Sequence, residues 1–211
     1  MGSDLANIQL NPTPQQPYSF LIKMSPEELE HLQDMIRERK TLRHPNLCIV
    51  STASPLQEEV NGVFCETMSQ VVINYEPFDK LLYDLKNRFP LPSPDIERII
   101  HSVCSALQYL YGRKSRHGDI SSRKICLVRE EWKLIDNYFI RGGITAYEKI
   151  LEGDEGFISP SQMERIRHGF IRESPPIEEA DDIFALGMTC LELMTGRSSM
   201  LCYKESHIRF H

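Results

Sequence analysis

The sequence predicts an α+β fold in which a small strand-rich unit precedes a larger helical one. In the first third of the chain, short apolar stretches flank a single helix, which is typical of a small strand–helix–strand unit. A long amphipathic helix and a hairpin pattern follow. Residues 182–194 are apolar on nearly every side, and a helix of that kind is normally buried. With 211 residues, 41% of them hydrophobic, the chain is long enough for one core or two small ones.

Composition and charge exclude several classes of protein. A formal net charge of −6 without a Lys/Arg stripe argues against a nucleic-acid surface. The six cysteines show no Cys-x-x-Cys pair and no metal-like His/Cys spacing, which indicates buried thiols of a reducing compartment. No apolar run approaches the roughly 20 residues of a membrane helix, and the first residues lack a signal-peptide pattern. We therefore expect a cytoplasmic protein without a membrane segment, and the sequence leaves its oligomeric state open.

The amino-terminal part predicts a lead-in, a strand, a helix and further strands. Residues 1–17 are rich in Asn, Gln and Pro and predict an unstructured lead-in, and Ser19–Met24 predicts a strand. Ser25 at the N-cap and Pro26 at the first helical position start a helix. Its apolar face is formed by Leu29, Leu32 and Ile36, and it ends near Leu42 at a His-Pro-Asn break. Strand-like stretches follow at residues 47–52, 63–65 and 71–75.

The carboxy-terminal part begins with a helix and a hairpin. Ser93-Pro94-Asp95 is a helix start signal, and the apolar stripe that follows comprises Ile96, Ile99, Ile100, Val103, Leu107 and Leu110. Two β-like runs, at 125–128 and 132–135, flank Glu130-Glu131 as a hairpin, so that Asp136 lies at a strand end. A glycine-rich segment at residues 142–156 predicts a mobile loop before the last helix.

Two short acidic motifs point to the chemistry. They are His117-Gly118-Asp119 and Ile135-Asp136-Asn137. In a His-x-Asp loop the aspartate acts as base for a hydroxyl nucleophile, and an aspartate after a following strand holds a metal ion on ATP phosphates. The two motifs therefore predict a phosphoryl-transfer site built on Asp119 and Asp136.

These motifs and the order of elements resemble the protein-kinase family over most of residues 19–196. The matching segments are Lys23, His44-Pro45-Asn46-Leu47, Val72-Ile73-Asn74-Tyr75, Asp119, Asp136, Phe157-Ile158-Ser159-Pro160-Ser161, and Asp182 with Gly187. The resemblance implies a two-lobed kinase-like fold with a β-rich N-lobe at residues 18–76. It also implies a helical C-lobe at residues 77–211, which we expect to be truncated after its central helix.

The resemblance assigns a role to each matched residue. Asp119 is the catalytic base, and Asp136 is the ligand of Mg²⁺ beside the ATP phosphates. Lys23 holds the phosphates, although a solvated strand-end lysine fits the same pattern. The adenine-binding positions are Ile73, which guards the pocket, and Asn74 and Tyr75, which lie beside the base. The implied cofactors are ATP and Mg²⁺, and the implied substrate or partner is a protein.

Several companions of these residues are replaced. No glycine lies between Gly2 and Lys23, so the glycine-rich loop over the phosphates is absent, although backbone that approaches phosphate needs glycine. Met35 stands where the family has the glutamate that pairs with the strand lysine, and a slip of the alignment brings Asp34 or Glu38 near that place. The other replacements are Asn137 for the Phe of D-F-G, Gly118 for the loop Arg, and Ser161 for the Glu of A-P-E.

Lys124 is the replacement with the largest chemical consequence. The family has at this position an asparagine, which offers a neutral oxygen ligand to the second metal ion. An ammonium group cannot ligate Mg²⁺, which binds oxygen donors, and it repels the ion. We therefore expect impaired ATP and Mg²⁺ binding, and we hypothesise that Lys124 forms an ion pair with Asp136 in place of the metal.

Three other loop residues have roles that follow from their positions. Arg123 lies four residues after the base, as in tyrosine-kinase loops, where an arginine neutralises the transferring phosphate. His117 is expected to be a packed, hydrogen-bonded core histidine. Asp182 is expected to accept backbone hydrogen bonds from the catalytic loop and to cap its own helix.

Three functional interpretations remain open at this point. The first is a pseudokinase, a signalling module that binds or regulates a protein partner with weak or no phosphoryl transfer. The second is a divergent active kinase that moves the γ-phosphate of ATP to a Ser, Thr or Tyr hydroxyl. The third is an incomplete kinase fragment whose exposed apolar helix needs a covering partner.

Overall fold

The described residues of the computed structural model form two compact units. The structure describes residues 19–24, 30, 33–34, 36–37, 40–55, 69–135, 157–167 and 177–197. One unit contains the described residues up to Arg43 together with Cys48–Asp79, and the other contains His44–Leu47 and the described residues from Lys80 onward. The α+β content predicted from the sequence is confirmed.

The first unit is built on a three-stranded antiparallel sheet. Its strands are β1 (Ser19–Met24), β3 (Val50–Pro55) and β4 (Ser69–Tyr75), in the order β1-β4-β3. β1 and β4 are rich in apolar, β-branched or aromatic residues, which favour strands, whereas β3 has only two β-branched residues, Val50 and Thr52. Lys23 of β1 is paired with Gln70 of β4. The predicted strand at residues 63–65 lies outside the described residues.

The predicted strand at residues 47–52 is interrupted in the structure. Leu47–Cys48 forms the short strand β2, and β3 begins only at Val50. Ile49 lies between them and accepts a hydrogen bond from the Glu76 N–H at 3.3 Å. The continuous apolar pattern did not indicate this break.

Helical residues of the first unit are described at 30, 33–34 and 36–37. Ile36 is 4% exposed, as expected for the predicted apolar face. The Lys40 N–H donates to the Ile36 carbonyl at 2.9 Å near the end of the helix. Ser25, Pro26, Leu29, Leu32, Met35 and Glu38 lie outside the described residues.

A four-stranded sheet has the order β2-β7-β6-β5, and of β2 only Leu47 belongs to the second unit. Strand β5 is Lys80–Leu81, β6 is Ile125–Val128 and β7 is Glu131–Ile135. The β6–β7 hairpin turns at Arg129 and Glu130, which both have positive φ (47° and 70°), so its two-residue loop has the twist of a type I′ turn. The hairpin prediction is confirmed, but its turn lies one residue earlier than predicted and Glu131 belongs to β7.

The His-Pro-Asn turn is hydrogen-bonded to β7. The Asn46 amide donates to the Trp132 carbonyl at 3.1 Å, and the Leu134 N–H donates to the Asn46 carbonyl at 2.8 Å. His44 Nδ1 accepts the Asn46 N–H at 3.2 Å, and burial lowers the pKa of the His44 ring below its usual value. The turn is therefore bonded to the sheet through Asn46. The neutral imidazole of His44 supports Asn46 within the turn.

The described part of the second unit contains three α-helices and a seven-residue 3₁₀ helix, each of which buries at least one apolar side chain. They are α1 (Ser93–Gly112), α2 (Pro160–Arg167) and α3 (Glu179–Thr195), with a 3₁₀ helix at Leu82–Arg88. The predicted stripe of α1 is buried at Ile96, Ile99, Val103, Leu107 and Leu110, while Ile100 is half-buried. None of the helices among the described residues is both long enough and apolar enough to span a membrane.

Helix α3 is only partly buried. Its inner face includes Ala185, Leu186, Thr189 and Leu193, but Ile183 is 51% exposed and Met194 is 63% exposed. Within the described part of the chain, this helix is therefore covered on one side only, and it keeps the exposed apolar side chains that the third interpretation assumes. The helix ends at Gly196, whose φ of 67° is left-handed and whose Cβ, if present, would lie 3.1 Å from the Phe89 carbonyl oxygen. Glycine is the one residue that fits both conditions.

Candidate active site

The His-Gly-Asp loop connects α1 to β6, and His117 is its buried anchor. His117 has no exposed surface. Its Nε2 lies 2.8 Å from the Ile135 carbonyl oxygen, and its Nδ1 lies 3.2 Å from the Asp119 nitrogen. Because a carbonyl only accepts, Nε2 carries the proton and Nδ1 accepts the Asp119 N–H. The neutral ring thus ties the loop to the end of β7, and the prediction of a packed core histidine is confirmed.

Asp182 accepts hydrogen bonds from the backbone of the loop. Its carboxylate accepts the His117 N–H at 2.9 Å and the Gly118 N–H at 2.6 Å. The Tyr111 hydroxyl donates to the same carboxylate at 3.3 Å, and burial together with the charge of Asp182 raises the pKa of Tyr111 above its usual value. Asp182 is 1% exposed, so these donors compensate for its burial. The predicted hydrogen bonds from the loop to Asp182 are confirmed.

The capping role predicted for Asp182 belongs to its neighbour. The Glu178 N–H at the N-cap of α3 donates to the Asp181 carboxylate at 2.8 Å. The correction has a simple geometric reason: in a capping box the third helical residue reaches back to the N-cap, and Asp181 occupies that position.

Gly118 meets a conformational requirement of the loop. Its φ of 75° lies in the left-handed region, where side chains other than glycine are disfavoured. The same residue presents its N–H to Asp182, so the backbone turns there while remaining hydrogen-bonded. The loss of the family arginine at this position is therefore compatible with an ordered loop.

The predicted base, Asp119, is paired with a cation. Lys124 Nζ lies 3.6 Å from Asp119 Oδ2, and the two side chains are 16% and 4% exposed. Lys124 ends the short 3₁₀ helix Ser122–Lys124, and its N–H donates to the Ser121 carbonyl at 2.9 Å. This turn brings the ammonium group back towards the carboxylate five residues earlier in the chain.

Arg123 contacts an aromatic ring. Its guanidinium carbon lies 3.7 Å from the centroid of the Tyr83 ring, a cation–π distance. Lys86 lies over the same ring at 4.3 Å. The sequence did not indicate Tyr83 as a partner, because Tyr83 belongs to the 3₁₀ helix 40 residues away. The role of Arg123 towards a phosphate stays a prediction.

The residues predicted to bind ATP outside the loop lie in the first unit. Lys23 and Ile73 are placed by their strands, β1 and β4, while their side chains lie outside the described residues. The Asn74 amide donates to Thr52 Oγ1 at 2.8 Å, and Tyr75 is 2% exposed where β4 ends. The structure therefore groups Lys23, Ile73, Asn74 and Tyr75 in one unit and Asp119 and Arg123 in the other. Their adenine and phosphate contacts stay predictions.

Asp136 and Asn137 lie outside the described residues. Strand β7 ends at Ile135, directly before them. The hypothesis of a Lys124–Asp136 ion pair therefore stays a prediction, while Lys124 does contact Asp119. Within the described part of the chain, no cluster of three or more His, Cys, Asp or Glu residues is suited to hold a metal ion. An ammonium group where an oxygen ligand is needed does not fit the second Mg²⁺ of a kinase site.

Residues 157–167, which follow the predicted mobile loop, are linked to α3 by side-chain interactions that the sequence did not predict. Ser159 Oγ accepts the Gln162 N–H at 3.0 Å as the cap of α2, and the same hydroxyl donates to Asp181. Arg165 Nη1 lies 3.4 Å from Glu178, and its Nη2 is paired with Asp181. The signals for this network were Ser159 before Pro160 and Glu178 three residues before Asp181. It joins the A-P-E-like segment to α3 without the missing glutamate.

Comparisons with known proteins identify the family of the chain. The sequence profile of the protein kinase domain matches residues 19–209. Serine/threonine-protein kinase 36 of Pongo abelii is 26% identical over 175 residues, covering 82% of this chain and 12% of that protein. Mitogen-activated protein kinase kinase kinase 3 of Arabidopsis thaliana is 29% identical over 176 residues, covering 82% of this chain and 26% of that protein.

The fold and the loop thus define a kinase-type domain, and the chain belongs to the protein kinase family. It spans about an eighth of the length of the first relative and about a quarter of the second. The predicted family resemblance is confirmed.

Proposed function

We propose that this domain is a pseudokinase, a module that binds or regulates a protein partner with weak or no phosphoryl transfer. The observation that carries the proposal is the pairing of Lys124 with the predicted catalytic base, Asp119, at 3.6 Å. Both side chains are largely shielded from water, so their attraction is stronger than that of a surface pair.

The pair opposes catalysis in two ways. A base must accept the proton of the substrate hydroxyl, and a nearby ammonium group stabilises the ionised carboxylate and so weakens it as a base. The attraction between unit charges about 4 Å apart is on the order of 4 kcal/mol at an effective dielectric of 20, before desolvation is subtracted. The second effect is the positive charge itself, which repels a metal ion from the position where the family has an asparagine ligand.

The rest of the loop keeps its shape, which supports a binding role. His117 and Asp182 together make four hydrogen bonds to backbone groups of residues 117–119 and 135. This hydrogen-bonded loop presents an ordered surface to a partner whether or not phosphoryl transfer takes place. This ordered loop supports the proposal of a protein partner. The lysine at the metal-ligand position supports impaired Mg²⁺-dependent ATP binding. A cytoplasmic location is proposed from the cysteine pattern of the sequence.

The experiment is a transfer assay with γ-labelled ATP, Mg²⁺ or Mn²⁺ and a generic protein substrate. The matched control is Asp119→Asn, which removes the base but keeps the side-chain shape. We expect the unaltered chain to transfer label no faster than this variant. Transfer that is at least about tenfold faster and disappears in Asp119→Asn would overturn the proposal in favour of a divergent active kinase. The same assay on a longer chain tests whether residues beyond this sequence are required.

A further inference from the structure

The ring of Tyr83 carries two cations that come from different elements of the second unit. The guanidinium carbon of Arg123, in the catalytic loop, lies 3.7 Å from the ring centroid, and Lys86 Nζ lies 4.3 Å from it. Lys86 Nζ also donates to the Tyr83 hydroxyl at 2.8 Å. Because 3.7 and 4.3 Å are measured to the same centroid, the two cations lie within about 8 Å of each other. Two positive charges are therefore gathered around one side chain.

The acidic side chains of the same two elements have partners of their own. Asp84 Oδ2 accepts a backbone N–H at 2.8 Å at the start of its 3₁₀ helix. Asp119, in the loop that carries Arg123, is paired with Lys124 at 3.6 Å. Among the residues that the structure describes, no carboxylate is paired with the ammonium group of Lys86. The cluster is therefore locally positive in a chain whose formal net charge is −6.

The cluster offers hydrogen-bond donors as well as charge. The ammonium group of Lys86 has three N–H groups, of which the Tyr83 hydroxyl accepts one. Because this hydroxyl accepts from Lys86, its own proton is available for donation to an incoming oxygen. A guanidinium that stacks on a ring keeps its N–H groups in its own plane, directed away from the ring face. Lys86 is exposed, and Tyr83 and Arg123 are half-buried, so an anion in solvent can approach these donors.

We propose that Tyr83, Lys86 and Arg123 form a binding site for the phosphate group of a phosphorylated side chain in the protein partner. A phosphate monoester carries close to two negative charges and three acceptor oxygens at neutral pH. This matches two cations and their donors better than a single carboxylate does. The site holds a phosphate that is already present on the partner, and no bond to phosphorus forms or breaks there.

The cluster lies beside the catalytic loop, which relates it to the proposed function. Arg123 is four residues after Asp119, and it then serves binding rather than transfer. This site gives the proposed pseudokinase its class of partner and therefore rests on the proposed function. The two are tested separately. Phosphoryl transfer by the unaltered chain overturns the proposed function, whereas absence of phosphopeptide binding without transfer overturns only the site.

The test is a titration of the unaltered chain with a short peptide of alanine and glycine that carries one phosphoserine, followed in ¹H–¹⁵N NMR spectra. We expect saturable shifts of the amides of residues 83–88 and 121–124. The affinity should be at least about tenfold higher than for the same peptide without phosphate. Inorganic phosphate is the third probe, and it should bind about threefold more weakly or less, because it lacks the peptide chain. Inorganic phosphate that binds as tightly as the phosphopeptide would overturn the assignment to a protein partner.

Charge-removing variants locate the site. Lys86→Gln and Arg123→Gln should each weaken phosphopeptide binding by about fivefold or more. Arg88→Gln is the matched control, because Arg88 is an exposed cation of the same 3₁₀ helix, and it should change the affinity by less than about twofold. Unchanged Tm values of Lys86→Gln and Arg88→Gln check that both variants fold. Equal losses in these two variants, no loss in Lys86→Gln, or equal affinities for the phosphorylated and unphosphorylated peptides would overturn the site.

Discussion

Lys124 Nζ lies 3.6 Å from Asp119 Oδ2, inside a loop whose backbone is otherwise held as a kinase catalytic loop requires. The residue predicted to be the base is therefore buried and paired with a cation from its own loop. The same lysine stands where the family has an asparagine. Under the proposed function, this relation accounts for a loop that keeps its shape while phosphoryl transfer is weak.

Asp182 is expected to be a main source of stability in the second unit. Asp182→Ala leaves the His117 and Gly118 N–H groups without their acceptor, and each unsatisfied buried donor costs about 1–3 kcal/mol. We expect the free energy of unfolding in urea to fall by about 3–5 kcal/mol. Asp95→Ala, in the exposed first turn of α1, is the control and should cost less than about 1 kcal/mol. Equal losses in the two variants would contradict the role of Asp182.

Gly187 inside α3 and Gly196 at its C-cap should respond to alanine in opposite directions. Gly196→Ala places a Cβ at a left-handed φ of 67° and 3.1 Å from the Phe89 carbonyl oxygen, so we expect a loss of about 1–3 kcal/mol. Gly187→Ala lies in the helix interior with open space around the new methyl group, so we expect a gain of about 0.5–1 kcal/mol. Thermal unfolding of the two variants beside the unaltered chain measures both effects. A gain at Gly196 would show that the helix ends differently.

The reactivity of Cys190 should depend steeply on pH. The thiolate is the nucleophile, and a pKa of about 11 leaves very little of it at neutral pH. Alkylation by iodoacetamide should therefore accelerate about tenfold per pH unit between pH 7.5 and 10, whereas a free thiol such as glutathione levels off near its pKa. The rates are followed by mass spectrometry of the peptide that contains Cys190. A plateau below pH 9 would contradict the raised pKa of Cys190.

Local patterns predicted much of the second unit. The stripe of α1 repeats with the period of a helix and the β6–β7 hairpin alternates around a turn, so both are readable without tertiary information. The turn was placed one residue late because Glu130-Glu131 looked like the polar break, whereas the positive φ values belong to Arg129 and Glu130. Helix boundaries and turns depend on backbone angles that composition indicates only loosely.

The partners of the charged residues were harder to predict than their positions. Lys124 was identified as the critical replacement, but its contact with Asp119 arises from the 3₁₀ turn at residues 122–124, which the sequence did not reveal. Arg123 was expected near a phosphate and contacts the Tyr83 ring, which a separate element supplies. The hydrogen bonds from the loop to Asp182 were predicted correctly because the family motif specifies both donor and acceptor, whereas its capping role was not. Contacts of charged residues that no motif specifies depend on local backbone turns and on the fold.

The most direct test of whether Lys124 takes the place of a metal ligand is the affinity for ATP with and without Mg²⁺. The unaltered chain should show no gain in affinity when Mg²⁺ is added. Lys124→Asn, which restores an oxygen ligand and removes the charge, should bind ATP at least about tenfold more tightly with Mg²⁺ than with a chelator. Lys124→Arg keeps the cation and should behave like the unaltered chain. A gain of about tenfold or more with Mg²⁺ in the unaltered chain would contradict the role of Lys124.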